Sequence, residues 1–174
     1  VRGEQQRIMF SVPIINATTD WLREPWIRLK SDIPGLEGTY RSDAAAPPQG
    51  VLCFQVRYGP TAEVPATFEL DEAEVKVELL DGKGGAVLGS DTLKFRVRDP
   101  AQSRRETFWS PSTNSVQYYG LKPPKDYDPQ KRYALVLSLH GAGCEAGGQV
   151  DAYEAKEWAF VAAPTNCRRF GFDW

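Results

Sequence analysis

Four residues that could do chemistry, His140-Gly141-Ala142-Gly143, directly follow an apolar run of strand length. Glycine and alanine side chains are small enough for a ligand to approach the backbone, so the N–H groups of such a loop can point into the space above a sheet. Backbone N–H groups arranged in this way form the oxyanion holes that stabilise the tetrahedral intermediates of acyl transfer. The motif therefore predicts an oxyanion loop at residues 140–143.

The chain has one histidine, His140, and it lies inside this loop. A serine or cysteine hydrolase that uses an imidazole as its general base would have no other histidine available. Because we assign His140 to the oxyanion loop, we do not expect it to act as the base. The chain also lacks a G-x-S-x-G sequence, which would mark a serine nucleophile. We therefore expect this chain alone to be inactive.

Composition limits the remaining classes of function. Of the 174 residues, 41% are hydrophobic and 25% are charged, which excludes collagen-like and wholly disordered chains. The net charge is −2 and no run of like charge stands out, so we expect no binding to nucleic acid or to a membrane. No apolar run approaches the roughly 20 residues that cross a bilayer. The three cysteines form no Cys-x-x-Cys or Cys/His cluster, so we expect no metal.

The first hundred residues have the pattern of short strands. Residues 26–30, 74–79 and 93–98 alternate between apolar and polar side chains, and a glycine-rich turn lies at 81–85. No helical pattern interrupts this region. We therefore predict an antiparallel β-sandwich of the immunoglobulin-like type over residues 1–103.

Two side-chain predictions concern this region. Cys53 lies in the apolar run 51–54, and we expect it in the core. Pairing of the last two strands is expected to bring acidic residues opposite basic ones, namely Glu74 or Glu78 opposite Lys94, Arg96 or Arg98.

After residue 103 the pattern changes to that of an α/β domain. The expected elements are two strands, a strand covered on both faces, a helix and a second buried strand, at 106–110, 116–121, 133–139, 148–158 and 159–163. The last three form a βαβ unit, whose two strands should be parallel. We therefore predict that residues 104–174 are the N-terminal part of an α/β domain.

Residues 104–174 resemble the first part of a catalytic domain of the α/β-hydrolase superfamily. The similarity is closest to bacterial esterases and peptidases of the prolyl-oligopeptidase-like branch that carry an N-terminal β-sandwich. The segments that carry the resemblance have the sequences SVQYY at 115–119, LSLHGAG at 137–143, APTN at 163–166 and FGFDW at 170–174.

The resemblance implies that the main-chain N–H groups of Gly141, Ala142 and Gly143 form the oxyanion hole. It also implies three substrate-binding residues for an ester or a peptide: Asn166, Phe172 and Trp174. In this superfamily the nucleophile, acid and base follow in the order Ser, Asp or Glu, and His. All three would lie beyond residue 174, and the chain would be the N-terminal fragment of a serine hydrolase without a cofactor.

The resemblance further places Cys144 and Cys167 after neighbouring strands. A disulfide can form there if the Cα atoms come within about 4.4–6.8 Å. It would indicate an exported protein, so a periplasmic or secreted location is favoured over the cytoplasm.

Two parallel strands and one helix would leave an apolar face uncovered. We expect this part to be held by the sandwich, by a second copy, or by a separate chain that completes the domain.

The alternative function is a non-catalytic binding module for glycan or protein. Trp21 and Trp26 would then form a sugar-stacking platform, although packing in the core or between domains is favoured. Trp158 is expected to pack on the sheet. Asn16-Ala17-Thr18 matches a glycosylation acceptor, but such triplets also arise by chance.

Overall fold

The computed structural model of the chain describes residues 3, 5–31, 33, 35–57, 61–63, 69, 71–139, 141 and 143–165. The backbone divides into two compact units, Val1–Val97 and Arg98–Trp174. The described residues form mostly antiparallel sheet, with one short helix. In this part of the chain, no helix is long and apolar enough to cross a membrane.

The first unit is built from strands alone in its described part. The strands are β1 (Gln5–Arg7), β2 (Phe10–Asn16), β3 (Pro25–Ser31), β4 (Gly38–Arg41), β5 (Gly50–Val56), β6 (Thr61–Glu63), β7 (Glu72–Asp81) and β8 (Val87–Arg96). They form a four-stranded sheet in the order β4-β3-β7-β8 and two ribbons, β2-β5 and β1-β6. Every pairing is antiparallel. The predicted antiparallel strands are thus present, whereas the immunoglobulin-like topology stays a prediction.

Alternation along the strands builds the core of this unit. Ile27 and Leu29 of β3 and Val77 of β7 are buried on the same face of the four-stranded sheet. They belong to one hydrophobic cluster with buried side chains of β2 and β5, namely Phe10, Ile14, Phe54 and Val56. The core therefore lies between the four-stranded sheet and the β2-β5 ribbon.

Cys53 is not a core residue, so that prediction is wrong. The Cys53 side chain is exposed on β5, whereas its neighbour Phe54 is fully buried. Because successive side chains of a strand point to opposite faces, burial of Phe54 turns Cys53 towards solvent.

The glycine-rich segment after β7 forms the predicted turn. The backbone N–H of Asp81 donates to the carbonyl of Ala86 at 2.9 Å. Gly82 and Gly84 have φ angles of +80° and +75°, a region that favours glycine. The register of the two strands that this turn joins places Glu74 opposite Lys94, and their charged groups lie 3.2 Å apart, as predicted.

Of the two carboxylates considered for this pairing, Glu78 does not pair with the basic residues of β8. Its partner position on β8 is Ser90. The Glu78 carboxylate instead contacts Arg28 and Lys30 of β3, which lie on the other side of β7. A central strand has two neighbours, and the pattern of β7 and β8 alone does not identify the second one.

The second unit contains one mixed sheet and the helix. Its elements are β9 (Arg104–Ser110), β10 (Ser115–Lys122), β11 (Ala134–Leu137), α1 (Ala146–Asp151) and β12 (Ala159–Pro164). The strand order is β11-β12-β10-β9. Strands β11 and β12 are parallel, as the strand–helix–strand pattern predicts, and the other pairings are antiparallel.

The helix is shorter than predicted, and it begins earlier. It spans six residues rather than the 11 of the segment 148–158. Gly147 and Gly148 occupy two of its positions, and each glycine costs a helix about 1 kcal/mol relative to alanine. No side chain caps its N-terminus. Trp158 lies outside the helix and is exposed, so its predicted packing on the sheet is wrong.

Strand β11 is not covered on both faces, contrary to the prediction for residues 133–139. Leu135 and Leu137 are 62% and 67% exposed, and Leu139 beyond the strand end is 59% exposed. β11 is an edge strand. Its leucines share a sheet face with Phe160 and Ala162 of β12, while α1 packs on the opposite face.

Candidate functional site

The parallel pair β11 and β12 brings the ends of two strands to one edge of the sheet. Beyond β11, the Ser138 N–H donates to the carbonyl of Ala162 at 2.9 Å and so extends the ladder by one bond. Thr165 follows β12 at the same edge. In open α/β sheets, ligands bind outside the carboxyl ends of the strands. This edge is therefore the candidate functional site.

The loop after β11 contains a tight turn at this edge. The Cys144 N–H donates to the carbonyl of Gly141 at 3.3 Å, which closes the turn. Gly143 has a φ of +77°, so the turn needs glycine at this position. A Cβ atom at Gly141 or Gly143 would meet no heavy atom within 4 Å. The backbone of both glycines thus borders open space.

A polar network lies at the start of this loop. Ser138 is buried, and its hydroxyl lies 2.8 Å from the Tyr153 hydroxyl and accepts a 2.8 Å hydrogen bond from the Gln149 amide. The network joins the end of β11 to α1 and to the segment after it. The sequence pattern does not predict these contacts, but it carries one signal for them. Ser138 is a polar residue between two leucines in an apolar run, and such a residue needs a partner when buried.

The far end of the loop is held by Glu145, the residue before α1. Its carboxylate forms an ion pair with Arg105 of β9 and accepts a 3.0 Å hydrogen bond from the Tyr118 hydroxyl of β10. The Arg105 guanidinium also lies 5.5 Å from the Tyr118 ring centre. On the same sheet face, a side chain at Gly120 would overlap the backbone of Ala146, so α1 packs directly on β10. Both ends of the loop are therefore fixed to the sheet.

The opposite face of this sheet is open and apolar. It bounds a cavity of about 480 Å³ lined by Phe108, Tyr119, Leu121, Leu135, Leu137, Phe160, Ala162 and Pro164. The rings of Phe108 and Tyr119 lie 6.1 Å apart. Burial, followed by the charge of Glu106, raises the pKa of Tyr119, so its hydroxyl stays neutral at pH 7. The cavity thus presents almost no charge to an occupant.

Of the predicted site residues, Gly141, Gly143 and Cys144 lie together in the turn. The other predicted residues, namely His140, Ala142, Asn166, Cys167, Phe172 and Trp174, lie outside the described residues, so the disulfide and the substrate-binding roles stay predictions. No group of three or more potential metal ligands occurs in the described part of the chain.

The two tryptophans of the first unit do not lie in its core. Trp21 is exposed. Trp26 is half-buried on the face of β3 opposite to Ile27, and the Lys83 ammonium lies 6.0 Å from its ring centre. Packing in the core is therefore wrong for both residues, and packing between domains stays a prediction.

Asn16, the first residue of the triplet that matches a glycosylation acceptor, has a structural role. It is buried, and its amide nitrogen donates to three backbone carbonyls, those of Asp20, Ala46 and Pro47. Its side-chain oxygen accepts a 2.8 Å hydrogen bond from the Thr18 hydroxyl. In the folded chain this side chain is fully engaged in holding the segment after β2.

Comparisons with known proteins do not assign this chain to a family. No protein-family model matches the chain, and no curated protein sequence matches it significantly. Among solved structures, the chain is similar to the crystal structure of a thermostable esterase, with a TM-score of 0.28 and 18% sequence identity. The match covers 89% of this chain and 53% of the esterase chain, so this chain spans about half the length of that protein. A similarity of this size does not establish a shared fold or activity.

Proposed function

We propose that the second unit is the N-terminal part of a serine hydrolase domain and that residues 140–143 are its oxyanion loop. The observation that carries the proposal is the turn from Gly141 to Cys144, with open space beside both of its glycines. This turn lies at the carboxyl end of a parallel strand pair, where a ligand site is expected. An antiparallel pair, β9 and β10, precedes it, as in the resemblance to α/β hydrolases.

The proposed chemistry is stabilisation of negative charge during acyl transfer. When a nucleophile attacks an ester or amide carbonyl, the oxygen gains charge and accepts hydrogen bonds from fixed N–H donors. Donors that are already in place cost no reorganisation during the reaction, and one such donor contributes roughly 10²–10³ in rate. The links from Ser138 to Tyr153 and from Glu145 to Arg105 would supply this rigidity.

The rest of the catalytic machinery would come from outside this chain. His140 is the only histidine and belongs to the proposed loop, and the G-x-S-x-G sequence is absent. We therefore propose that the chain alone is inactive and that the whole enzyme acts on an ester or a peptide. Asn166, Phe172 and Trp174 are the proposed substrate contacts.

An NMR titration tests the proposed loop directly. Methylphosphonate, a small tetrahedral anion, is added to the ¹⁵N-labelled chain while the amide signals are followed. We expect saturable shifts of the Gly141 and Gly143 amides. Gly84 is the matched control, since it also has a positive φ angle and lies in a turn with open space beside it. Equal shifts at Gly84 and Gly143, or none at Gly143, would reject the loop assignment.

A binding function for the first unit is the second candidate, and the geometry favours a protein ligand over a glycan. Lys83 lies near the ring of Trp26, which leaves Trp21 as the one exposed tryptophan of the proposed pair. A single ring makes a poor platform for successive sugar units. Titration with oligosaccharides should therefore leave the tryptophan fluorescence unchanged, and a saturable shift would restore the glycan alternative.

A further inference from the structure

Three cations surround one carboxylate on the outer face of the four-stranded sheet. Arg28 donates a 2.7 Å hydrogen bond from Nε to Oε2 of Glu78, and its Nη2 lies 2.6 Å from the same oxygen. The ammonium groups of Lys30 and Lys76 lie 3.0 and 3.2 Å from Oε1 of the same residue. We call Arg28, Lys30, Lys76 and Glu78 the cationic cluster.

The cluster contains two like charges on neighbouring strands, an arrangement that destabilises a sheet. Lys30 and Lys76 occupy directly opposite positions on β3 and β7. Like charges at such positions destabilise a sheet. Natural sequences break local rules of this kind mainly at functional sites, where another requirement outweighs stability.

The charge that faces solvent is positive. The Glu78 side chain is 4% exposed, whereas those of Lys30 and Lys76 are 54% and 52% exposed. The cluster carries a net charge of +2 within a chain whose overall net charge is −2. One buried carboxylate thus holds three cations in place, and their remaining N–H groups are directed away from it.

We propose that the cationic cluster is a docking surface for an acidic polypeptide segment. Charge complementarity favours a negatively charged partner, because its carboxylates would relieve the repulsion between Lys30 and Lys76. The cations are already ordered by Glu78, so less side-chain freedom is lost on binding. This surface lies in the first unit and does not depend on the proposed hydrolase function.

Spacing and overall charge favour a polypeptide over other anions. Arg28 and Lys30 are two residues apart on one strand, a distance of about 6.6 Å. Alternate side chains of an extended acidic peptide have the same spacing. Long polyanions such as nucleic acids require extended positive charge, and the net charge of −2 opposes them.

Fluorescence anisotropy with a defined peptide tests the proposal on the full chain. The probe is a fluorescein-labelled octapeptide of alternating Glu and Thr, and the matching Gln-Thr peptide is the neutral control. The test variant combines Lys30→Gln with Lys76→Gln. The control variant combines Lys125→Gln with Lys131→Gln, two exposed lysines of the second unit, and has the same net charge.

The expected result is saturable binding of the Glu-Thr peptide that weakens with salt. The test variant should lose about 10-fold or more in affinity, and the control variant should stay within about twofold. Circular dichroism checks folding, and Lys30→Gln alone replaces the double variant if that variant unfolds. Equal losses in both variants, or no binding of the Glu-Thr peptide at 20 mM salt, would overturn the proposal. Tighter binding of a sulfated oligosaccharide would overturn the choice of a polypeptide.

Discussion

Lys30 and Lys76 lie directly opposite each other on neighbouring strands, and both ammonium groups contact the same oxygen of Glu78. Hydrogen bonds from Lys30, then Arg28, lower the pKa of Glu78 to about 2 against the effect of burial. The Glu78 carboxylate stays ionised under nearly all conditions, and it thereby offsets part of the repulsion between the lysines. Protonation of Glu78 would leave the three cations without this negative charge.

Stability should therefore fall in acid because of Glu78. Its pKa is about 2 in the folded chain and 4.5 in the unfolded chain, so the unfolded state binds more protons between these values. The contribution is fully present above pH 4.5 and is lost as the pH falls towards 2. Thermal melts between pH 2 and 7 should show a steeper loss for the native sequence than for Glu78→Gln.

The control for this prediction is Glu74→Gln, which removes an exposed carboxylate that pairs with Lys94. Its pH profile should stay parallel to that of the native chain. Parallel profiles for Glu78→Gln and the native chain would contradict the stabilising role of the buried carboxylate.

Adjacent residues of β2 provide a test of the core. Ile14 is 5% exposed and Ile15 is 76% exposed, because successive side chains face opposite sides of the strand. Ile14→Ala should lower the free energy of unfolding by about 2–5 kcal/mol, through lost burial and a new cavity. Ile15→Ala should change it by about 0.5 kcal/mol or less. Urea denaturation measures both, and equal losses would contradict the placement of the core.

The sequence pattern predicted individual strands and turns better than the contacts between distant segments. Alternation and the glycine-rich turn predicted β7, β8 and the Glu74–Lys94 pair, because these features depend on neighbours in sequence. The partners of Glu78 come from β3, about 50 residues away, and alternation carries no information about which strand lies on the other side. The prediction for Cys53 was wrong for a related reason, because an apolar run does not show which of its residues face inward.

For the candidate site, the sequence predicted the loop but not the side-chain contacts that hold it to the sheet and the helix. The glycines at 141 and 143 and the parallel strands were visible as a motif and as apolar runs. The contact of Ser138 with Tyr153 and the ion pair between Arg105 and Glu145 join distant segments, which no local pattern specifies. The exposure of Leu137 was also not visible, because an apolar strand has the same pattern whether one face or both are covered.

The open apolar face of the second unit should bind hydrophobic dyes. Leu135 and Leu137 form much of its exposed surface, so 1-anilinonaphthalene-8-sulfonate should fluoresce strongly with the native chain. Leu135→Gln combined with Leu137→Gln should lower this signal severalfold. Val87→Gln combined with Leu88→Gln, at exposed positions of the first unit, is the control and should leave the signal nearly unchanged. An unchanged signal in the leucine variant would show that the dye binds elsewhere.

The same face should favour association. We propose that a second copy or a separate chain covers it in the working protein, and sedimentation should show a mass that rises with concentration. A strictly monomeric chain at high concentration would contradict association between copies.

The chain alone should not hydrolyse activated esters. p-Nitrophenyl acetate should be cleaved at the buffer rate, and a fluorophosphonate probe should label no serine, since the chain lacks a second histidine to act as base. Ser138→Ala serves as the control, because Ser138 is the buried serine next to the loop. Labelling of the native chain that disappears in this variant would identify a nucleophile and contradict the proposed inactivity.

The central claim, that residues 140–143 bind an oxyanion, is tested most directly by two matched glycine variants. Gly143→Ala and Gly84→Ala each place a side chain at a φ near +75°, with open space around it. Each should therefore cost about 1 kcal/mol of stability through backbone strain.

Methylphosphonate affinity, measured by the amide shift of Gly141, should separate the two variants. We expect Gly143→Ala to weaken binding about 10-fold or more, because the strained turn no longer holds its N–H groups in place. Gly84→Ala should bind like the native chain. Equal affinity in all three proteins, or no saturable shift of Gly141 in the native chain, would contradict the oxyanion loop.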